Sequence, residues 1–146
     1  PGATIGQGKD LPRIAMAHGI GYVATATVAE LHDLEAKVER AMGLRGARYL
    51  HVLVPCPLGW AHDPADTVRL ARLAQRSGLF PVFEAERGEV TAVLPIRDRV
   101  PVEDYLRPQR RYAHLFADPP RTDLIAGLQA IADRNVDRYH LIEEGS

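Results

Sequence analysis

The sequence has one cysteine in 146 residues, so no disulfide can form within the chain. Because small secreted domains depend on disulfides, a single thiol favours a reducing compartment, and we expect a cytoplasmic protein. Long hydrophobic runs are also missing. No segment approaches the roughly 20 apolar residues that cross a bilayer, and the N-terminus lacks a basic-then-apolar signal pattern. We therefore expect no membrane partner.

An excess of charge of either sign is absent as well. The formal net charge is −1, which gives no electrostatic support for binding to nucleic acid or to an acidic membrane surface. Apolar residues make up 46% of the chain, an ordinary share for a globular protein. A chain of this length and composition can build one hydrophobic core and corresponds to one domain or part of one.

Caps and apolar periodicity predict alternating helices and strands over residues 1–79. The predicted elements are a helix capped by Asp10 and ended by Gly19, a strand at 22–25, a helix with the stripe Leu34, Val38, Ala41 and Met42, a strand at 48–54, and a helix from Asp63 to Gly78 that buries Val68, Leu70, Ala71, Leu73 and Ala74. This order predicts an α/β fold with a mainly parallel sheet, in which the apolar second strand is covered on both faces.

The pattern changes over residues 80–146. Two apolar runs, 80–85 and 90–94, flank a polar turn and predict a β-hairpin. Residues 95–121 are rich in proline and arginine, and we expect them to wrap a surface. A last helix is predicted to begin at Thr122, with an apolar stripe formed by Leu124, Leu128, Ile131 and Ala132. The hairpin, the tail and this helix form the second of two predicted parts.

Cys56 is the most informative candidate residue. It follows the predicted strand 48–54 and lies between Pro55 and Pro57, whose rings fix φ at their own positions. In α/β sheets, ligands bind at the carboxyl ends of strands. Three interpretations are open: a buried apolar side chain, a nucleophile with His62 as its base, or one ligand of a metal cluster whose other ligands lie elsewhere.

The other candidate motifs are weaker. Residues 1–9 form a glycine-rich loop, but the spacing around Lys9 does not match a phosphate-binding loop. Arginines at 97–111 allow nucleic-acid or nucleotide binding, but the near-zero net charge favours a solvated arm that pairs with nearby acids, or a protein contact. We expect Trp60 to pack over the Cys56 loop. None of the six histidines has zinc-site spacing, and we expect structural or surface roles for His18, His32, His51, His62, His114 and His140.

Several short words, in the same order, resemble the β subunit of pyruvate:ferredoxin oxidoreductase (pyruvate synthase). The resemblance covers about residues 9–116 and is carried by residues 9–15 (KDLPRIA), 17–20 (AHGI), 22–26 (YVATA), 52–60 (VLVPCPLGW), 63–64 (DP), 78–84 (GLFPVFE), 99–106 (RVPVEDYL) and 109–115 (QRRYAHL). The resemblance implies that residues 1–79 are the C-terminal part of a Rossmann-like domain that binds thiamine diphosphate. It also implies that the chain is the back portion of a longer subunit.

The family oxidises a 2-oxoacid to acyl-coenzyme A and passes the electrons through [4Fe–4S] clusters to ferredoxin, using thiamine diphosphate and Mg²⁺. The resemblance implies that Cys56 is the fourth thiolate of the cluster nearest the thiamine. In the family, the other three cysteines and the segment that binds thiamine diphosphate and its metal lie upstream, and no position in this sequence matches a catalytic residue. We therefore assign no catalytic or cofactor-binding residue here and expect no cofactor on this chain alone. Expected partners are the other oxidoreductase subunits (alpha, gamma and delta type) and ferredoxin.

Two further expectations remain from the sequence. As part of a larger sheet, the chain should expose a strand edge and an apolar face, and it should self-associate or be marginally stable when isolated. The alternative function is a non-enzymatic α/β module that docks to another subunit through the arginine-rich tail.

Overall fold

A computed structural model describes residues 8–142, so most of the predicted glycine-rich loop, residues 1–7, lies outside the described residues. The helices are α1 (Leu11–Ala17), α2 (Leu31–Gly43), α3 (Pro57–Trp60), α4 (Thr67–Arg76), α5 (Val102–Leu106) and α6 (Thr122–Tyr139). The strands are β1 (Tyr22–Thr27), β2 (Arg48–Leu53), β3 (Phe83–Glu86) and β4 (Glu89–Val93). Short 3₁₀ helices cover Pro64–Asp66 and Arg110–Leu115.

The four strands form one mixed sheet in the order β2-β1-β3-β4. β1 and β2 are parallel, as their helical connection predicts, but β3 runs antiparallel to both β1 and β4. The α/β class and the parallel pairing within residues 1–79 are confirmed, but the sheet as a whole is mixed, because the predicted hairpin joins it antiparallel to β1. The tight turn at Arg87-Gly88, with φ of 51° and 90°, returns β4 antiparallel to β3, and the hairpin joins the sheet beside β1.

Side-chain caps predicted from the sequence begin two of the helical segments. The Asp10 carboxylate accepts a hydrogen bond from the Arg13 N–H at 3.2 Å and begins α1. The Asp63 carboxylate accepts one from the Ala65 N–H at 2.8 Å and begins the turn that leads into α4. Gly19 and Gly78 end α1 and α4 with φ of 73° and 84°, the left-handed geometry that glycine adopts readily.

Alternate residues of β1 point to two different helical layers. Tyr22 and Ala24 pack with Ala41 of α2 on one face. Val23 packs on the other face with Ala15 of α1 and with the end of α6 around Tyr139. A second buried cluster lies where α4, α5 and α6 meet, with Leu70, Ala74, Val102, Tyr105, Leu106, Leu115, Ile125 and Ala132 as its members.

The predicted buried face of α2 is partly wrong. Ala41 is buried, but Val38 and Met42 are 43% and 74% exposed. Lys37 takes a buried position because its ammonium donates to the Thr25 carbonyl at 3.0 Å and to the Asp33 carboxylate at 2.7 Å. A paired ammonium can be buried, and its methylene stem supplies apolar contact.

β2 also departs from the prediction of a strand covered on both faces. Its residues are half-buried or exposed because β2 is the outermost strand of the sheet. Within residues 8–142 no strand pairs with its outer edge. An apolar strand with a free edge is normally covered in a stable assembly.

The remaining corrections concern the second part of the chain. Residues 95–121 do not simply wrap a surface, because Val102, Leu106 and Leu115 are buried between α4 and α6. On α4, Val68 is exposed rather than buried. Leu124, Leu128 and Ile131 are only partly buried on α6, whose buried residues are Ile125, Ala132, Val136 and Tyr139.

Candidate functional site

Cys56 follows β2 and begins the short helix α3. Its thiol is exposed, whereas the preceding Pro55 is fully buried and fixes the loop to the core. The Gly59 N–H donates to the Cys56 sulfur at 3.5 Å, and the Trp60 N–H donates to the Cys56 carbonyl at 2.9 Å. The interpretation of Cys56 as a buried apolar side chain is therefore wrong. The loop presents the sulfur to the outside with one N–H donor directed at it.

The tail segment Arg110–Leu115 contacts the far end of the Cys56 loop. The Arg110 N–H donates to the Ala61 carbonyl at 3.2 Å. The Arg111 guanidinium lies 3.8 Å from the centre of the Trp60 ring and 4.6 Å from that of Tyr112. The Trp60 ring therefore packs against the tail through Arg111, and its predicted packing over the Cys56 loop stays a prediction.

Three hydrogen bonds hold the tail side of this contact. The Arg111 guanidinium donates to the Gln109 side-chain oxygen at 2.9 Å and to the Tyr105 hydroxyl at 3.3 Å. Gln109 is completely buried and donates to the Tyr105 carbonyl. Burial raises the pKa of the Tyr105 hydroxyl, so this group stays neutral and can accept from Arg111. The solvated-arm interpretation holds for Arg107, which pairs with Glu103 at the surface, and fails for Arg111.

His62 does not form a nucleophilic pair with Cys56. Its Nδ1 lies 2.8 Å from the Asp63 carbonyl and donates to it, because a carbonyl can only accept. The other ring nitrogen, Nε2, is buried without a hydrogen-bond partner in the described part of the chain. No hydrogen bond joins His62 to Cys56 between residues 8 and 142. The prediction of a structural role for His62 fits this geometry.

A cavity of about 200 Å³ lies on the face of the sheet that α1 and α6 cover. His51 of β2 lines it and packs edge-on against Phe80 at 5.7 Å between ring centres. The buried Nδ1 of His51 has no partner among the described residues, so the predicted hydrogen bond of this histidine is not seen. Thr25 also lines the cavity, but its hydroxyl already donates to the Pro81 carbonyl and accepts from the Phe83 N–H.

No group of three or more histidine, cysteine or acidic side chains within residues 8–142 could hold a metal ion. Cys56 offers a single sulfur ligand, and its exposure leaves room for a metal centre outside the described chain. The Gly59 N–H that donates to this sulfur is a kind of contact that cluster-bound thiolates also receive. The residues present therefore fit one corner of an iron–sulfur cluster but do not form a complete site.

Exposed apolar side chains flank Cys56. Val54 and Leu58, two residues before and two after it, are 55% and 93% exposed. Another exposed set lies on α2 and consists of Leu31, Val38 and Met42, which we call the apolar flank. At 3.6 residues per turn the apolar flank lies on the side of α2 opposite Arg40.

The direction of the apolar flank follows from the partners of Arg40. Its guanidinium pairs with Glu84 of β3 at 3.2 Å. Because β2 and β3 lie on opposite sides of β1, the apolar flank is directed toward the free edge of β2. Within residues 8–142 both the β2 edge and the apolar flank are uncovered, which fits the expectation for part of a larger sheet, although Val38 and Met42 were expected to be buried.

Sequence reasoning identified Cys56 and Trp60 but missed Arg111 and Gln109. The arginine run gave no indication of which member is half-buried. The short spacing between Gln109 and Tyr112, two large polar side chains around a pair of arginines, was the only available signal.

None of the helices in the described ranges is long and apolar enough to cross a bilayer.

No protein-family model matches this sequence. The chain is 41% identical over 133 residues to pyruvate synthase subunit PorB of Methanosarcina barkeri, which covers 91% of this chain and 45% of that protein. It is 42% identical over 107 residues to PorB of Methanocaldococcus jannaschii, a match that covers 73% of this chain and 36% of that protein. It is 35% identical over 109 residues to ketoisovalerate oxidoreductase subunit VorB of Pyrococcus abyssi, a match that covers 73% of this chain and 35% of that protein. The chain thus spans less than half the length of these relatives.

Proposed function

We propose that this chain is the C-terminal part of the β subunit of a 2-oxoacid:ferredoxin oxidoreductase. Over most of its own length, the chain is homologous to the PorB subunit of pyruvate synthase. In this proposal Cys56 is one thiolate ligand of a [4Fe–4S] cluster. The observation that carries the assignment is the exposed thiol at the carboxyl end of β2, in a chain with 41% identity to PorB.

Cys56 and its loop perform a defined part of the chemistry. The cluster, when bound, supplies one-electron transfer, and four thiolates hold it. The proline-flanked loop fixes the backbone of Cys56, so little conformational freedom is lost when the sulfur becomes a ligand. The Gly59 N–H donates to that sulfur. Hydrogen bonds to cluster sulfurs stabilise negative charge and are one of the means by which proteins set the reduction potential.

Exposed apolar groups support a partner for this loop. Val54 and Leu58 are 55% and 93% exposed on either side of Cys56, and exposed apolar side chains that cluster in this way mark interaction sites. We infer that the covering chain also brings the other three thiolates. The free edge of β2 supports the same conclusion, since another strand beside it would make β2 an interior strand.

The proposed reaction is the oxidative decarboxylation of a 2-oxoacid to acyl-coenzyme A, with electrons passed to ferredoxin. Thiamine diphosphate and Mg²⁺ are expected in the whole enzyme, held by residues outside this chain. Pyruvate is the proposed substrate because PorB of Methanosarcina barkeri and PorB of Methanocaldococcus jannaschii, at 41% and 42% identity, are more similar to this chain than VorB of Pyrococcus abyssi at 35%. The proposed partners are the other oxidoreductase subunits and ferredoxin, in the cytoplasm.

The test is to replace Cys56 in the complete subunit, assembled with its partner subunits. Cys56→Ser keeps the size of the side chain but removes the soft sulfur ligand. We expect one [4Fe–4S] signal to be lost or altered in the electron paramagnetic resonance spectrum of the reduced enzyme. Iron content should fall by up to about four atoms per subunit.

Leu58→Ala is the matched control, because it changes the same exposed loop and leaves the sulfur in place. Retained thiamine binding would show that the Ser variant is folded. An unchanged cluster spectrum and iron content in folded Cys56→Ser would refute the assignment. That result would favour the alternative of a docking module, which the apolar flank also suits.

A further inference from the structure

We propose that Arg111 is a positioning residue for Cys56, which acts by stacking on Trp60 and holding the α3 turn in the conformation that presents the sulfur. This inference rests on the proposed function, because it concerns the proposed cluster ligand. Arg111 does not itself touch the sulfur in this account. It acts through the ring of Trp60 and the backbone of the turn.

The α3 turn needs such support because it is only four residues long. Helical segments of this length are unstable alone, since the first turn fixes several backbone angles for very few hydrogen bonds. Cys56 begins the turn, Trp60 ends it, and Ala61 follows in the left-handed region at φ 54°. The conformation of this turn must therefore be set by contacts with other parts of the fold.

Trp60 is the residue through which the tail can fix the turn. Its backbone N–H donates to the Cys56 carbonyl at 2.9 Å, so the ring and the cysteine belong to the same hydrogen-bonded turn. The Arg111 guanidinium covers the ring at 3.8 Å from its centre. Because Arg111 holds the ring, a shift of the backbone that ends the turn would break this stacking, so the contact opposes movement of the Gly59 N–H that donates to the sulfur.

Arg111 is itself held rigidly enough to transmit this constraint. Its guanidinium is half-buried between Trp60 and Tyr112 and donates to both Gln109 and Tyr105. The completely buried Gln109 ties this group to α5. A planar guanidinium can stack and donate in its own plane simultaneously, which an ammonium cannot do. The contact therefore connects the Cys56 turn to the core between α4, α5 and α6.

The chain offers a matched control in the neighbouring residue. Arg110 is exposed and contacts the loop through its backbone N–H, which donates to the Ala61 carbonyl. Arg110→Gln thus removes the same charge from the same segment and keeps that backbone contact. Arg111→Gln removes the stacked guanidinium as well.

The experiment uses the complete subunit in its assembled oxidoreductase. The rate at which a chelator removes iron from the Cys56-dependent cluster is measured, together with the electron paramagnetic resonance line shape. Cation–π stacking of this kind corresponds to roughly a 2- to 30-fold change in the population of the held conformation. We expect iron loss to be faster by about that factor in Arg111→Gln than in Arg110→Gln, with a changed line shape.

Two further variants separate positioning from general destabilisation. Arg111→Lys keeps a cation near the ring and should give an intermediate rate. Trp60→Phe weakens the same contact, so the double variant with Arg111→Gln should lose iron little faster than either single variant. Thermal unfolding of the complex should stay close to that of Arg110→Gln.

The inference fails if Arg111→Gln and Trp60→Phe both match Arg110→Gln in line shape and rate while Cys56→Ser still loses the cluster. It also fails if the two changes act additively. Failure of the proposed function gives a different result, because the cluster would then persist in Cys56→Ser.

Discussion

Gly78 provides the sharpest test of how the two halves of the fold are joined. It ends α4 at φ 84° and lies against α6, where a Cβ would come within 2.8 Å of the Val136 methyl and 3.0 Å of the Ala132 carbonyl oxygen. The turn cannot easily move away, because Asn135 of α6 donates to the Gly78 carbonyl at 3.0 Å. Gly78→Ala should therefore be strongly destabilising.

Two terms contribute to the expected loss of stability. A side chain in the left-handed region costs about 1–2 kcal/mol relative to glycine. Overpacking against well-ordered neighbours adds about 1–3 kcal/mol, since either the α4 turn or α6 must shift. We expect Gly78→Ala to lower the free energy of unfolding by about 2–5 kcal/mol, a large share of the roughly 5–15 kcal/mol typical of a domain.

Gly19→Ala is the matched control. Gly19 also ends a helix, at φ 73°, and a Cβ there would meet nothing within 4 Å. It should therefore show only the backbone term of about 1–2 kcal/mol. Urea unfolding followed by circular dichroism would measure both variants, and the difference between them gives the packing term. Equal destabilisation of the two variants would refute the close contact between the α4 turn and α6.

Other regions of the fold give two further predictions. Two effects raise the pKa of the Tyr22 hydroxyl. The larger is burial, and the second is the hydrogen bond that the hydroxyl donates to the Glu84 carboxylate at 2.6 Å. The stability that the protonated Tyr22 hydroxyl contributes is complete below the unfolded pKa of about 10 and is lost as pH rises toward the folded value. Tyr22→Phe should therefore show a shallower fall in unfolding free energy than the wild type above about pH 10. Equal slopes of unfolding free energy against pH in the two proteins would contradict this prediction. Val38→Glu on the apolar flank should reduce self-association of the isolated chain, measured by analytical ultracentrifugation. Val68→Glu should not, although Val68 is 46% exposed and Val38 43% exposed. A monomeric wild-type chain would contradict the prediction.

Local features of the fold were predictable because their causes are local. Asp10 and Asp63 accept hydrogen bonds from N–H groups two or three residues away, so their caps can be read directly from the sequence. Gly19 and Gly78 end helices for reasons that lie within their own backbone angles. The hairpin followed from two apolar runs around Arg87-Gly88, whose positive φ values suit a tight turn.

Features that depend on distant partners were not predictable in this way. The orientation of β3 depends on its pairing with β1, about sixty residues away along the chain. The buried face of α2 depends on Lys37 reaching a carbonyl of β1, which outweighs the apolar character of Val38 and Met42. Periodicity alone cannot show that an ammonium will have a buried acceptor.

The same distinction between local and distant causes applies to the candidate site. Cys56 was identified because the end of a strand and two adjacent prolines are both visible in the sequence. Arg111 was missed because its role depends on the Trp60 ring, which lies on a different element of the fold. Of the arginines at 107, 110 and 111, only Arg111 stacks on that ring in the described chain, and the sequence gives all three the same surroundings of proline, tyrosine and charge. A sequence can therefore locate a candidate ligand atom from local chemistry, but a residue proposed to orient that atom is found only when the contacts between distant segments are known.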